Sequence, residues 1–160
     1  MWAERTARDH IRPPAAPGRH VRLTIPEYDA HTTILLADDH APHTCTSIWE
    51  HLPLTVRAMH GRYSGPEIFT NYREVVQHWQ WQTVAENQIS YPIPGDMVLY
   101  IHPPPRHQPN YFYDRDAVPY GTPRPEPGTL VGTSTGNFSG FAEACWRLQY
   151  EGWKTFVIDR

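Results

Sequence analysis

Seventeen prolines are spread through the 160 residues of this chain, so few stretches can hold an uninterrupted helix. Apolar residues between the prolines fall mostly into short runs with the period of a strand. Residues 20–25 and 31–36 are β-branched or apolar and flank a turn at 26–29, which predicts a first hairpin. Further strands are expected at 54–62, 67–70, 97–101, 111–113, 129–133 and 154–158. Residues 71–85 are ambiguous; a short helix fits 72–79, but the alternation of Trp79 and Trp81 favours a strand over 79–84. Residues 102–108 and 114–128 read as Pro-rich loops.

Two segments read as helices. Pro42 follows Asp38 and Asp39, a favourable helix start, and Cys45, Ile48, Trp49 and Leu52 share one face of a helix over 42–51. Residues 139–151 place Phe141, Ala144, Cys145 and Leu148 on one face and meet Gly152 as a cap. The expected class is mainly β, a barrel or sandwich with two α-helices. Residues 1–18 lack periodicity and read as an N-terminal arm that can be disordered; residues 19–160 form a single domain.

Charged residues are 19% and the net charge is −3, which excludes the basic footprint of a general nucleic-acid binder. No run approaches the roughly 20 apolar residues of a membrane span. The first residues lack the apolar core of a signal peptide, so the expected compartment is the cytoplasm. There Cys45 and Cys145 are expected as free thiols. His40 with His43, and His102 with His107, come without a third ligand at a recognisable offset, so no metal site is expected.

Four stretches carry a resemblance. They are Ala41-Pro42-His43-Thr44-Cys45, His60-Gly61-Arg62-Tyr63-Ser64-Gly65, the run from Tyr91 to Tyr100 around Pro94-Gly95-Asp96, and Gly136-Asn137-Phe138. In this order they resemble the bacterial cyclophilin-like family DUF3830 over about residues 20–160. The resemblance implies a closed, eight-stranded cyclophilin-like β-barrel with two helices. Relatives in that group include cucumopine synthase and the cyclophilin-like Pictet–Spenglerase of streptonigrin and lavendamycin biosynthesis. The implied activity is condensation of a tryptophan-like arylethylamine with a small aldehyde, phosphorylated ones included, to a tetrahydro-β-carboline. That chemistry requires no cofactor. The expected partners are small-molecule substrates, with neither nucleic acid nor membrane, and a homodimer stays open. Prolyl isomerases are similar in fold only, because their catalytic Arg and surrounding Phe pattern are not found here.

Such a reaction needs an acid–base group near the amine and an aromatic slot. Glu67, after a Ser-Gly-Pro turn, is the first candidate base, against the plain alternative of a solvent-facing strand carboxylate. Glu143 is next in line. His60 is the second catalytic candidate, since an imidazole exchanges protons near neutral pH; otherwise it is structural. Arg62 and Ser64, with Tyr63 between them, are candidates for holding an anion, or else are turn residues. Trp79, Trp81 and Tyr100 are candidates for the aromatic slot, or core. Asn137 either caps the second helix or orients substrate. Cys45 is a substrate-site candidate, and the nucleophile of a competing hydrolase or lyase reading with His60 as base. Its position on an apolar helix face favours the core. A non-catalytic small-molecule binder is the third reading.

Overall fold

A computed structural model describes residues 18–82, 84–102, 106–117, 120–121 and 124–160, except for the side chains of 120–121 and 124–125. The arm expected over 1–18 lies outside them apart from Gly18. The first hairpin pairs β1 (His20–Ile25) with β2 (Ala30–Leu36) across a 3-10 turn, Pro26–Tyr28. In β1 the alternation is strict: Val21, Leu23 and Ile25 point inward, and Arg22 and Thr24 do not share their burial. Strands β3 (Leu54–His60), β4 (Glu67–Thr70), β6 (Asp96–His102), β7 (Arg106–Phe112), β10 (Gly128–Gly136) and β11 (Lys154–Asp159) complete the wall. A short strand at Gln88–Ile89 (β5) pairs onto the start of β10, and Tyr120–Gly121 (β8) and Arg124–Pro125 (β9) pair only with each other.

The wall runs in the order β2-β1-β11-β3-β4-β7-β6-β10 and closes through a β10–β2 pairing, so eight strands of the described residues form a barrel. Every pairing around it is antiparallel. Closure removes the exposed strand edges that a sandwich would leave. No helix among the described residues is long and apolar enough to cross a membrane.

Three α-helices of the described residues accompany the barrel. Helix α1 (Pro42–Glu50) begins at its proline and buries Thr44, Cys45 and Ile48. Helix α3 (Phe138–Glu151) packs against β2 and β3 with Phe141, Ala142, Ala144, Cys145 and Leu148 buried. It stops at Gly152, whose φ of +79° an L side chain rarely adopts. Helix α2 (Tyr72–His78) corrects the expectation of two helices and of a strand over 79–84. Asn71 starts it by accepting from the Arg73 N–H at 3.1 Å, a local bond that outcompetes the period-two reading of the tryptophans. Residues 79–82 have no regular structure. The loop expected up to residue 108 is also corrected: β7 already begins at Arg106 and carries Pro109 within a fully paired strand.

The main core fills the barrel. Trp79, Tyr111, Phe141 and Leu23 are among its largest fully buried side chains. Tyr111 and Phe141 meet edge to face, with ring centroids 5.1 Å apart. Phe141→Ala removes that contact between α3 and the wall and should cost about 3–5 kcal/mol, read as a lower urea midpoint at unchanged slope.

Candidate active site

Strand alternation divides β4, β6 and β7 between two faces. Ile68, Met97, Leu99 and Tyr111 belong to the main core. Their neighbours Glu67, Phe69, Val98, Tyr100, His102, Gln108, Asn110 and Phe112 lie on the other side of the sheet. The register brings Glu67 opposite Phe112, Phe69 and Val98 opposite Asn110, and Tyr100 opposite Gln108. Part of this outer face is itself covered. Val98, Tyr100, Phe112 and Ala117 form a second buried cluster, with Ile89 and Leu130 packed on it. Beside it lies a cavity of about 200 Å³, lined by Ser64, Glu67, Phe69, Tyr100, His102, Gln108, Asn110 and Glu126.

Glu67 is seated by the loop before it. Its N–H donates to the Gly65 carbonyl at 2.8 Å, and its carbonyl accepts from the Gly61 N–H at 2.8 Å. A Cβ on Gly61 would stand 2.6 Å from Glu67 Cγ, so only glycine lets the side chain lie across the loop. The Ser64 hydroxyl donates to Glu67 Oε1, and Asn110 Nδ2 donates to Oε2 at 3.2 Å. The residue is 5% exposed. Burial pushes its carboxyl up to about 7, the Asn110 bond pulls it down, and the charge of Glu126 adds to the rise.

Two buried polar atoms around the carboxyl have no hydrogen-bond partner among the described residues: the Tyr100 hydroxyl and Asn110 Oδ1. Burial holds the Tyr100 phenol well above its usual range, so it is a donor. Across the cavity, Gln108 Nε2 donates to the Thr70 carbonyl at 2.9 Å, which leaves its Oε1 to accept from His102 Nε2–H at 3.0 Å. His102 Nδ1 then faces Glu126 Oε1 at 3.3 Å. The cavity thus presents an acid–base carboxyl, a phenol donor, an amide acceptor and a carboxylate–histidine pair.

Of the residues singled out from sequence, Glu67, Ser64 and Tyr100 come together here. The others do not. His60 lies on the core face opposite Ile68; its Nδ1–H donates to the Gly61 carbonyl at 2.6 Å, and its Nε2 accepts from the Tyr113 hydroxyl at 2.5 Å. Burial lowers its pKa and keeps the ring neutral. Arg62 is exposed and lines a different cleft, and Tyr63 is 90% exposed. Trp79 is core, and Trp81 stacks on the buried His107 at 4.2 Å between ring centroids. Asn137 sits at the start of α3 at φ 53°, makes no cap bond, and contacts His31 Nε2 at 2.8 Å.

Cys45 lies in the core, the alternative its apolar helix face favoured, and not at a substrate site. It is 0% exposed, its Sγ–H donates to the Val131 carbonyl at 3.4 Å, and burial pushes the thiol up to about 12. It neither reaches a substrate nor supplies a thiolate. Phe69, His102, Gln108, Asn110 and Glu126 are the cavity residues that sequence reasoning did not assign to the site. The period of two through Val98, Tyr100 and His102 is the signal that places His102 beside Tyr100.

Residues 23–158 match the family described as "protein of unknown function (DUF3830)". The chain belongs to this family. No curated protein matches it. Among solved structures, it is similar to the solution structure of the hypothetical protein AF2241 from Archaeoglobus fulgidus. That match has a TM-score of 0.61 at 18% identity, covering 93% of this chain and 99% of the other. It is also similar to McbB, solved in complex with tryptophan, with a TM-score of 0.60 at 14% identity, covering 88% of this chain. The DUF3830 chain spans 44% of the McbB chain. The shared architecture is the cyclophilin-like barrel.

The contribution of the buried Glu67 carboxyl to the stability of this DUF3830 protein falls as pH rises. Unfolded, Glu67 ionises near 4.5; folded, near 7. Between those values the unfolded chain releases the proton first, so stability falls with pH and then levels off. Glu67→Gln removes that penalty. It should be more stable than wild type at pH 8 by on the order of 3 kcal/mol, with the difference vanishing below pH ~4. Urea unfolding at the two pH values checks this, and a pH-independent difference would count against the raised pKa.

Proposed function

We propose that this chain is a cofactor-independent cyclase of the Pictet–Spengler type, joining a tryptophan-like arylethylamine to a small aldehyde with Glu67 as the acid–base group. The observation that carries this reading is the Glu67 carboxyl, nearly buried, poised near 7, and flanked by the unpartnered Tyr100 hydroxyl. The likeness in fold to McbB, solved with tryptophan, supports an amine of tryptophan type.

A single carboxyl completes the proton cycle. The substrate arrives as an ammonium ion, and ionised Glu67 takes its proton, freeing the nitrogen pair. The nitrogen adds to the aldehyde carbon as the C=O π pair moves to oxygen, and one N–H proton passes to that oxygen to give the carbinolamine. Glu67 then returns the proton to the hydroxyl of the carbinolamine, which leaves as water and gives an iminium cation. The Tyr100 O–H donates to that departing oxygen, and Asn110 Oδ1 accepts from the cation's N–H. The indole carbon bonds to the iminium carbon while the C=N π pair moves to nitrogen. Glu67 takes the proton from the attacked ring carbon, the C–H pair restores the aromatic ring, and the proton then passes to the product amine, which leaves as an ammonium ion and restores the carboxylate. A pKa near 7 suits the carboxyl to both giving and taking.

The 200 Å³ cavity holds the reacting atoms, with the Phe69 and Tyr100 rings as its apolar walls. The hydrolase reading built on Cys45 is not favoured, because its nucleophile lies in the core.

Incubation of the protein with tryptophan or tryptamine and short aldehydes should yield a product of amine plus aldehyde minus water by mass spectrometry. If no pair gives that mass above the enzyme-free background, the proposal fails. With an active pair, kcat/KM should rise with pH through about 7 as Glu67 ionises, and Glu67→Gln should lose about 10²–10⁴ in kcat together with that pH limb. Near-normal turnover in the variant would move the base elsewhere.

A further inference from the structure

The loop that seats Glu67 also walls a second and larger cleft. About 640 Å³ of space lies between this loop, the segment after β7 and the C-terminal half of α3, within the range of about 300–1,000 Å³ usual for small-molecule sites. His60, Arg62, Tyr113, Arg115, Trp146 and Gln149 line it, and no residue lines both this cleft and the Glu67 cavity. The two differ in charge. Among the described residues, the Glu67 cavity is lined by two carboxyl groups, whereas the cleft is lined by the guanidiniums of Arg62 and Arg115 and the carboxyl of Asp114.

The walls of the cleft are preformed. The Tyr113 N–H donates to the Pro66 carbonyl at 3.1 Å, tying the segment after β7 to the loop. Gly65, at φ +95°, packs so closely that a Cβ would stand 3.3 Å from both Ala117 Cα and the Asp116 carbonyl oxygen. His60, 8% exposed, is fixed between the Gly61 carbonyl and the Tyr113 hydroxyl, so a rigid polar pair stands in the wall. On the other wall Trp146 is 41% exposed, its ring 5.0 Å from that of Tyr150. A large apolar ring in solvent beside guanidinium groups is a surface suited to a flat, negatively charged molecule.

We propose that this cleft is a second ligand site, for a small aromatic anion whose ring lies on Trp146 and whose carboxylate or phosphate is held by Arg62 and Arg115. Guanidinium groups bind both anions through paired N–H donors. The proposal stands apart from the chemistry at Glu67.

Isothermal titration of the full chain with phenyl phosphate, benzoate and inorganic phosphate tests it. At least one of the phenyl anions should bind with a Kd below about 1 mM, and tighter than inorganic phosphate. Preference between the two tells phosphate from carboxylate. Arg62→Ala, at an exposed position, should weaken binding about tenfold, Trp146→Ala should weaken it too, and Glu67→Gln should leave it unchanged. The proposal is overturned if neither phenyl anion binds, if inorganic phosphate binds as tightly, or if Arg62→Ala or Trp146→Ala binds like wild type. Loss of binding in Glu67→Gln would also overturn it, by placing the ligand in the other cavity.

Discussion

Burial on both faces of one stretch of barrel wall is the constraint on which the candidate site depends. In most of the barrel, strand alternation sends one set of side chains to the core and the other toward solvent, as in β1. Strands β6 and β7 differ: Met97 through Tyr100, and Pro109 through Phe112, are buried without interruption. The outward set, Val98, Tyr100 and Phe112, is covered by Ala117, Ile89 and Leu130. That cover removes water from the neighbourhood of Glu67. A carboxylate on a bare outer face would keep its ordinary pKa; under this cover it is raised by desolvation.

The polar atoms around Glu67 then decide what the raised pKa is good for. Ser64 and Asn110 give it two donors, which stabilise the ionised form and keep the shift moderate. Without them, burial alone would hold the group protonated at neutral pH, useful as an acid and poor as a base. Asn110 also carries an unpartnered oxygen. A half-turn of its amide presents that oxygen to a protonated carboxyl, so one residue can serve both proton states. The cost is a permanently buried ionisable group that opposes folding above its pKa, a common exchange of stability for activity.

Much of the barrel was legible because it rests on strong local signals. The first hairpin, α1, α3 and β11 follow from apolar periodicity and from Pro42 and Gly152 as start and stop. The misreadings have local causes as well. Trp79 and Trp81 imitate a strand, but the Asn71 cap and the short run to His78 make a helix. Pro109 suggests a loop, yet β7 absorbs it, with Thr70 Oγ–H donating to its carbonyl. Reading the first part of β7 as loop also hid Gln108 and Asn110, because a residue's face can be inferred only once its strand is known. Glu67 and Ser64 were found because they sit next to a recognisable turn. Glu126 was out of reach, since no periodic pattern in the stretch 114–128 assigns it to a face.

His60 and Arg62 show why neighbours in sequence need not be neighbours in chemistry. They lie within seven residues of Glu67 and share its loop, yet the pairing of His60 with Ile68 turns the histidine to the core face. Glu67, one step along from Ile68, faces outward. A one-residue difference in strand phase therefore separates a neutral, tyrosine-bound imidazole from the carboxylate it was expected to assist. The loop between them can serve two cavities because it is narrow: Gly61 has no side chain to obstruct Glu67 on one side, and Gly65 lets it turn tightly against 116–117 on the other. The glycines thus do more than make a turn. They let residues of one short loop line both cavities.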